Sequence, residues 1–411
     1  MNKIPFFSAL IFLTLAFLLL SGCVSQDVPQ NQTGQQQNQT TQNQNLQDLS
    51  GVIIVPGFTH FDVNATGFCG NTVCAGNETA INCCADCGCS SGQTCWNNSC
   101  MLGQNAPNKI QLSGNGFVAF PKIGENFVTW HERISGVMHI MAYNIKSLKA
   151  VQLTRNSTQR SPDTSGSAFA WLDQRGDDER STKIYYSDFR NGVEGTITSD
   201  DGPRLNPVIS GKYVGWRELV GDNFVVMLFD VSTNRLMNLS ISDYSSTSLD
   251  ISGDYAVWGF TNCENIAPTS PCKHGFVVNN LKTGKSEKVL EDIPDLYPDC
   301  ISVYGNSMAY VAGEWNNTQI HLYNITSRTD NKLTDSRGNL KMCPMVSGSM
   351  IVWQDNRNGN FDIYYYDLAK KEEKGLVVEP GDQIYPDIYG NKVVYLDLGQ
   401  GTRIFMYVMS S

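Results

Sequence analysis

One pattern recurs seven times between residue 109 and the end of this chain, and it constrains the fold more than any other feature. Its clearest copy, residues 346–368, reads VSGSMIVWQDNRNGNFDIYYYDL. Two apolar runs of strand length flank a polar loop that contains glycine, which is typical of a β-hairpin. A hairpin cannot bury both of its faces alone, so the repeat predicts either a ring or a solenoid of stacked sheets.

Each copy can be aligned on an aromatic residue that ends an apolar strand. Successive aromatic residues are separated by 41 to 52 positions. These seven aromatic anchors are Trp130, Trp171, Trp216, Trp258, Tyr310, Trp353 and Tyr395. We expect each anchor to fill the space between two neighbouring sheets.

Glycine and proline stand at fixed distances before the anchors. Glycine precedes the anchor by five residues in six copies, at Gly166, Gly211, Gly253, Gly305, Gly348 and Gly390. Proline precedes it by nine residues in five copies, at Pro121, Pro162, Pro207, Pro344 and Pro386. The fourth copy has Leu249 there, and in the fifth Pro298 comes three residues early. We expect proline to open an inner strand, where no backbone donor is needed, and glycine to turn the chain into the second strand.

The last copy ends after its third strand and lacks a fourth. The third strands are predicted at residues 139–144, 184–189, 225–231, 276–281, 320–325, 363–368 and 404–409. Residues 109–113, which precede the first copy, resemble the fourth strand at 151–154. Pairing them with the last copy would close the ring and remove an open sheet edge. The sequence therefore predicts an all-β fold, with a closed seven-bladed β-propeller over residues 109–411 rather than a solenoid.

The repeats resemble those of TolB-type propellers. The resemblance rests on residues 353–368 and on the Pro-Asp-Ile-x-Gly-x-x-Val-Val-Tyr pattern of 386–395. It covers residues 109–411 and is strongest in copies two, six and seven. The resemblance implies the propeller fold and a function in binding partner proteins or saccharides at one face of the ring. The resemblance implies no catalytic residue and no Pal-like partner for this chain. The cysteines and the amino-terminal segment are departures from the TolB-type pattern.

The amino terminus predicts export and a lipid anchor. Lys3 precedes an apolar run at residues 4–20, as in a secretory signal, and Leu20-Ser21-Gly22-Cys23 resembles a lipobox. We therefore expect a signal peptide at 1–22 and lipidation of Cys23, with an ordinary signal or an uncleaved membrane anchor as the alternatives. Residues 23–50 are rich in Gln, Asn and Thr, which is typical of a disordered tether. Residues 51–68 hold a short apolar run of uncertain role, and nine Asn-x-Ser/Thr triplets make glycosylation possible.

Thirteen cysteines also indicate an oxidising compartment. Eight of them crowd into residues 69–100, where they predict a small disulfide-stabilised module with undetermined connectivity. These eight are Cys69, Cys74, Cys83, Cys84, Cys87, Cys89, Cys95 and Cys100. The alternative is zinc, because Cys84 and Cys87 have ligand spacing. In the propeller we expect one disulfide from Cys263 to Cys272 and one between blades from Cys300 to Cys343.

Four aspartates follow the proline position and should line the channel. They are Asp163, Asp250, Asp299 and Asp387. Carboxylates gathered at a channel mouth would suit a hard cation such as Ca²⁺, with no other cofactor expected. The alternative is that each aspartate accepts a hydrogen bond from a turn two or three residues on.

The function class follows from what the sequence contains and lacks. A net charge of −10 without clustered Lys or Arg argues against nucleic acid as a partner. No nucleotide-binding or zinc-protease motif occurs, and the five histidines have no catalytic spacing. We expect a lipid-anchored surface protein that binds another protein or a glycan, with the loops at 262–274 and 175–183 as contact regions. The alternatives are a polysaccharide lyase or hydrolase with an acidic site at the channel mouth, and a structural envelope component.

Overall fold

The computed structural model describes most of the chain from residue 108 onward. The described residues are 108–114, 116–155, 158–174, 182–190, 192–199, 202–241, 244–263, 272–291 and 293–409, together with the backbone of two short strands at 93–96 and 99–102. They form strands and turns, with no helix among them. No helix that could span a membrane occurs within these ranges.

Seven sheets form the propeller, and the chain visits them in order. Blade one contains β4 (Val118–Ile123), β5 (Phe127–Ile134), β6 (Val137–Asn144) and β7 (Lys149–Gln152). Blade two contains β8 (Thr158–Ser165), β9 (Ala168–Gln174), β10 (Lys183–Asp188) and β11 (Val193–Thr196). Blade three contains β12 (Arg204–Ser210), β13 (Tyr213–Val220), β14 (Asn223–Asp230) and β15 (Arg235–Asn238).

The remaining blades follow the same antiparallel order, except that the inner strand of blade four is split in two. Blade four contains β16 (Ser245–Ser246), β17 (Asp250–Ser252), β18 (Tyr255–Cys263), β19 (Cys272–Asn280) and β20 (Lys285–Val289). Blade five contains β21 (Leu296–Tyr304), β22 (Ser307–Ala312), β23 (Gln319–Asn324) and β24 (Thr329–Lys332). Blade six contains β25 (Lys341–Ser347), β26 (Met350–Asp355), β27 (Asp362–Asp367) and β28 (Glu372–Val377).

Blade seven is completed by a strand from the start of the propeller. It contains β29 (Gln383–Tyr389), β30 (Lys392–Asp397) and β31 (Arg403–Val408), and its fourth strand is β3 (Lys109–Gln111). β3 pairs antiparallel with β31, with Ile110 opposite Met406. The predicted seven-bladed fold and its closure by residues 109–113 are therefore confirmed.

The core lies between the sheets, as the anchors predict. Each of the seven aromatic anchors is at most 2% exposed. One cluster joins blades seven and one through Trp130, Val394 and Met406, and the next clusters join each blade to its neighbour. The six glycines at five residues before the anchor all have a positive φ, such as 56° at Gly305, which explains why glycine recurs there.

Proline does not open the inner strands, contrary to the sequence-based expectation. In blades one, two, three, six and seven the inner strand begins before its proline and carries a β-bulge there. The residue before each of these prolines has a positive φ, at Phe120, Ser161, Asn206, Cys343 and Tyr385. Proline suits this position because a bulge interrupts the ladder that would otherwise need its N–H.

The amino-terminal predictions lie outside the described residues. These are the signal peptide, Cys23, the tether, residues 51–68, and the cysteines from Cys69 to Cys89. The backbone of β1 (Gln93–Trp96) pairs with β2 (Ser99–Leu102), and the register places Cys95 opposite Cys100. The side chains of this hairpin are outside the described residues, as are the centres of the two predicted contact loops.

Candidate binding site at the channel mouth

The seven inner strands surround a polar cavity of about 240 Å³. One ring of residues in it lies eight positions before the aromatic anchors. We call this the channel ring, and its members are Lys122, Asp163, Val208, Asp250, Ser302, Met345 and Asp387. Of the ring members, Ser302 and Asp387 are buried. The lining of the cavity thus comes from every blade.

The three aspartates of the ring accept hydrogen bonds from backbone amides that point into the channel. Asp163 accepts from the amide of Thr164 at 2.9 Å and from Ile209 of blade three at 2.8 Å. Asp250 does the same with Ile251 at 2.8 Å and with Val303 of blade five at 2.7 Å. Each carboxylate therefore ties its own strand to the next blade.

Asp387 and Ser302 complete this set of amide bonds. Asp387 accepts from Ile388 and, at 2.9 Å, from Ile123 of blade one. The Ser302 hydroxyl accepts from Val346 of blade six at 3.3 Å. Three carboxylates and one hydroxyl thus satisfy one inward amide from each of the seven blades. Buried amides need such partners, and this explains why aspartate occupies only some ring positions.

Lys122 is the cation among these carboxylates. Burial alone would lower the pKa of its ammonium, but the charges of Asp387, Asp163 and Asp250 outweigh burial and raise it above 10.5. Among the residues that the structure describes, the Lys122 ammonium forms no hydrogen bond. Its charge therefore balances the ring at a distance and leaves its N–H donors available to a ligand.

Burial raises the pKa of the ring carboxyls. The pKa of Asp163 rises from 3.8 to about 7 and that of Asp250 to about 6, in each case because burial outweighs the Lys122 charge and the amide bonds. The pKa of Asp387 is raised for the same reason. The ring is thus an acidic site whose charge changes near neutral pH.

A second ring forms the mouth of the cavity, two residues after the channel ring. We call it the mouth ring, and its polar members are Ser165, Ser210, Ser252, Tyr304, Ser347 and Tyr389. Three of the serine hydroxyls accept hydrogen bonds from turn glycines of the next blade, for example Ser165 from Gly211 at 3.0 Å. The two tyrosines are 46% and 43% exposed. Burial raises the pKa of Tyr389, and so do the charges of Glu125 and Tyr304, which therefore lie near it.

Three of the four predicted aspartates come together, and Asp299 does not. Because the bulge of blade five is longer than the others, Ser302 takes the ring position and Asp299 lies three residues earlier, near Arg217 and the Thr247 hydroxyl. The three ring aspartates bond to amides of the next residue and the next blade, not to turns two or three residues on. Within the described residues no three His, Cys, Asp or Glu side chains form a group that could hold a metal ion, and Ca²⁺ stays a prediction.

The cysteines of the propeller are placed as neighbours where they are described. The Cys300 and Cys343 sulfurs lie 2.9 Å apart as free thiols, across the junction of blades five and six. That separation exceeds the roughly 2.03–2.05 Å of an S–S bond, so the predicted disulfide there stays a prediction. Cys272 is disulfide-bonded, while the side chain of Cys263, its expected partner, lies outside the described residues.

Sequence reasoning missed Lys122, Ser302, Tyr304 and Tyr389. The signal that finds them is the distance to the anchor, since channel-ring residues precede it by eight positions and mouth-ring residues by six. Counting from proline instead led to Asp299. The anchor is the better reference because the bulge changes the distance from proline to the channel.

Comparisons with known proteins identify the fold. No family model matches the chain. No curated protein matches it either. Among solved structures, the β-propeller domain of the Trilobed protease from Pyrococcus furiosus is similar at a TM-score of 0.58 and 12% identity, over 71% of this chain and 93% of that one. The acylaminoacyl peptidase of Pyrococcus horikoshii reaches a TM-score of 0.56 at 10% identity, over 71% of this chain and 51% of that one.

The chain therefore spans about half the length of that peptidase. TolB from Acinetobacter baumannii is also similar, at a TM-score of 0.40 and 13% identity, over 71% of this chain and 79% of TolB. The two neighbours with TM-scores of 0.58 and 0.56 share the propeller fold with this chain. At 12% and 10% identity this likeness shows the fold alone and assigns no activity.

Proposed function

We propose that this chain is an exported, lipid-anchored binding protein that recognises a protein or glycan partner at the channel mouth. The observation that carries the proposal is the mouth ring, where two exposed tyrosines stand over a polar cavity of about 240 Å³. Exposed aromatic rings beside convergent polar groups are typical of recognition sites. The role agrees with the partner-binding habit that the resemblance to TolB-type repeats implies.

The experiment places a photo-reactive amino acid at Ser210, on the mouth ring, in the full-length chain on intact cells. Asn331, an exposed residue of the outer strand β24, is the matched control position. We expect a cross-linked partner from Ser210 and none from Asn331. The partner should be lost when Tyr304→Ala and Tyr389→Ala are combined with the probe. Equal cross-linking from both positions, or from neither, would contradict the proposal.

The lipid anchor has its own test. The proposal requires Cys23 to carry the lipid, so Cys23→Ser should move the protein from the membrane fraction to the soluble one and abolish labelling with a radioactive fatty acid. Substituting the neighbouring Ser25 by Ala is the control and should change neither result. A Cys23→Ser protein that stays membrane-bound would contradict lipid anchoring but leave recognition at the mouth intact.

A polysaccharide lyase or hydrolase is the second candidate. It is favoured by the pKa of about 7 for Asp163, which would let this carboxyl donate a proton at neutral pH. Against it stands the use of both Asp163 oxygens to hold backbone amides, which fixes the carboxyl in a structural role. Release of reducing ends or unsaturated products from surface polysaccharides, lost in Asp163→Asn, would favour the enzyme over the binding protein.

A further inference from the structure

The floor of the cavity offers both hydrogen-bond donors and acceptors. The Lys122 ammonium has no hydrogen-bond partner among the described residues and lines the cavity. A carboxylate can accept about four hydrogen bonds, and Asp163 and Asp250 use two each on backbone amides. A ligand that fits this floor must therefore donate and accept at once, as a hydroxyl group does.

The rim of the cavity offers two flat apolar faces. Tyr304 and Tyr389 are the last residues of the inner strands of blades five and seven, and both residues are nearly half exposed although they line the cavity. Tyr304 and Tyr389 are not needed to pack the blades together, because the buried anchors Tyr310 and Tyr395 already fill the spaces between the sheets. An aromatic face at the edge of a polar cavity suits a ligand that has an apolar face and a polar edge.

Size and charge narrow the ligand further. A cavity of about 240 Å³ lies below the roughly 300–1,000 Å³ of sites for drug-sized molecules, so it suits a group the size of one sugar ring. Three carboxylates face one ammonium in the channel ring, and Glu125 adds a further carboxylate at the mouth. Once Asp163 and Asp250 are ionised, above about pH 7, the negative charge exceeds that of Lys122 and repels an acidic ligand.

We propose that the channel mouth binds a single neutral hexose at the end of a glycan chain. This inference rests on the proposed function and names its partner class. The C–H groups of the sugar ring pack against both Tyr304 and Tyr389. Its hydroxyls donate to the carboxylates of Asp163 and Asp250 and accept from Lys122. The rest of the glycan extends outward past the serines of the mouth ring.

The test uses the full-length chain and free neutral hexoses as probes, measured by saturation-transfer NMR and calorimetry. A ligand of so few atoms should bind with a dissociation constant on the order of 1 mM. Tyr304→Ala and Tyr389→Ala should each weaken binding about three- to tenfold through loss of stacking. The control is Trp315→Ala, which removes an aromatic ring that is 53% exposed and does not line the cavity.

The outcomes separate this inference from the proposed function. Support requires saturable binding of a neutral hexose, an effect of both tyrosine variants but not of Trp315→Ala, and, at about pH 8 where the ring carboxyls are ionised, at least tenfold weaker binding of glucuronate. Absence of saturation at 20-fold the expected constant, or equal effects of the three variants, overturns the sugar assignment. If the Ser210 cross-link persists after enzymatic removal of glycans from the cell surface, the mouth binds a protein, and only the sugar assignment fails.

Discussion

The junction between blades five and six differs from the three junctions that an aspartate ties. At junctions two–three, four–five and seven–one, a carboxylate bonds to an amide of the next blade at 2.7–2.9 Å. At junction five–six the acceptor is the neutral Ser302 hydroxyl, at 3.3 Å. Only this junction, in the described part of the ring, also brings two thiols together. Each of these four junctions supplies an acceptor for a backbone amide of the next blade. Carboxylates, which titrate, are the acceptors at three junctions, and a neutral hydroxyl beside the Cys300–Cys343 thiol pair is the acceptor at the fourth.

The largest expected effect is the pH dependence of stability that the aspartate junctions contribute. The pKa of Asp163 in the fold, about 7, lies above the ordinary 3.8. A proton on this carboxyl therefore stabilises the folded state, and the contribution of Asp163 to stability falls as the pH rises from about 4 to about 7. This rise of the pKa corresponds to about 4 kcal/mol for Asp163, with Asp250 acting in the same direction. Lys122 stays charged throughout, since its pKa lies above 10.5.

The measurement is urea unfolding at a series of pH values between 4.5 and 8. Asp163→Asn removes this titrating group, so the stability difference between the variant and the wild type should change by up to about 4 kcal/mol between pH 4.5 and 8. Ser302→Ala should leave the shape of the pH profile unchanged. The comparison between the wild type and Asp163→Asn is needed because burial lowers the pKa of His131 to about 3, so His131 contributes stability that rises with pH up to about 6.5 and opposes the aspartates. Parallel profiles for the wild type and Asp163→Asn would refute the assignment.

The next effect concerns the thiol pair. Oxidised glutathione, taking two electrons and two protons from Cys300 and Cys343, should join them by a disulfide and yield two reduced glutathiones. The closed loop of 43 residues then stabilises the fold by up to about 4 kcal/mol in the chain-entropy account. Peptide mapping without reductant identifies the bridge, and a Cys300→Ala, Cys343→Ala variant unfolded under the same oxidising conditions is the comparison. Equal urea midpoints for the two proteins would show that the bridge does not stabilise the ring.

Removal of one ring carboxylate should lower the free energy of unfolding by slightly less than the disulfide would raise it. Asp387→Ala leaves the amides of Ile388 and Ile123 without their acceptor, and the expected loss is about 3 kcal/mol of unfolding free energy. Val208→Ala is the control, because Val208 holds the same ring position in blade three and accepts no amide there. Its expected cost is about 1 kcal/mol from lost packing. Comparable losses in both variants would mean that the amide bonds contribute little.

The sequence predicts the ring of seven blades but not the hydrogen bonds that join neighbouring blades around the channel. The anchors, the turn glycines and the strand at 109–113 follow from hydrophobic pattern and turn chemistry, which are local. The amide bonds of Asp163 and Asp387 join residues 46 and 264 positions apart, and no local pattern reveals such pairs. The long bulge of blade five likewise shifts Asp299 out of the ring. The sequence records this only as three extra residues between Pro298 and its anchor, and it does not show where in the strand they lie.

The smallest expected effect tests whether the neutral junction is redundant. Ser302→Ala removes one long hydrogen bond to the Val346 amide, so the expected loss is about 1 kcal/mol in the reduced protein. In the oxidised protein, the proposed Cys300–Cys343 bridge would hold the same two strands, β21 and β25. The loss should then shrink, and a double-mutant cycle with Cys300→Ala measures the coupling between the two contacts. Independent, additive losses would instead mean that the hydroxyl and the thiols stabilise the junction separately, since neither contact would then substitute for the other.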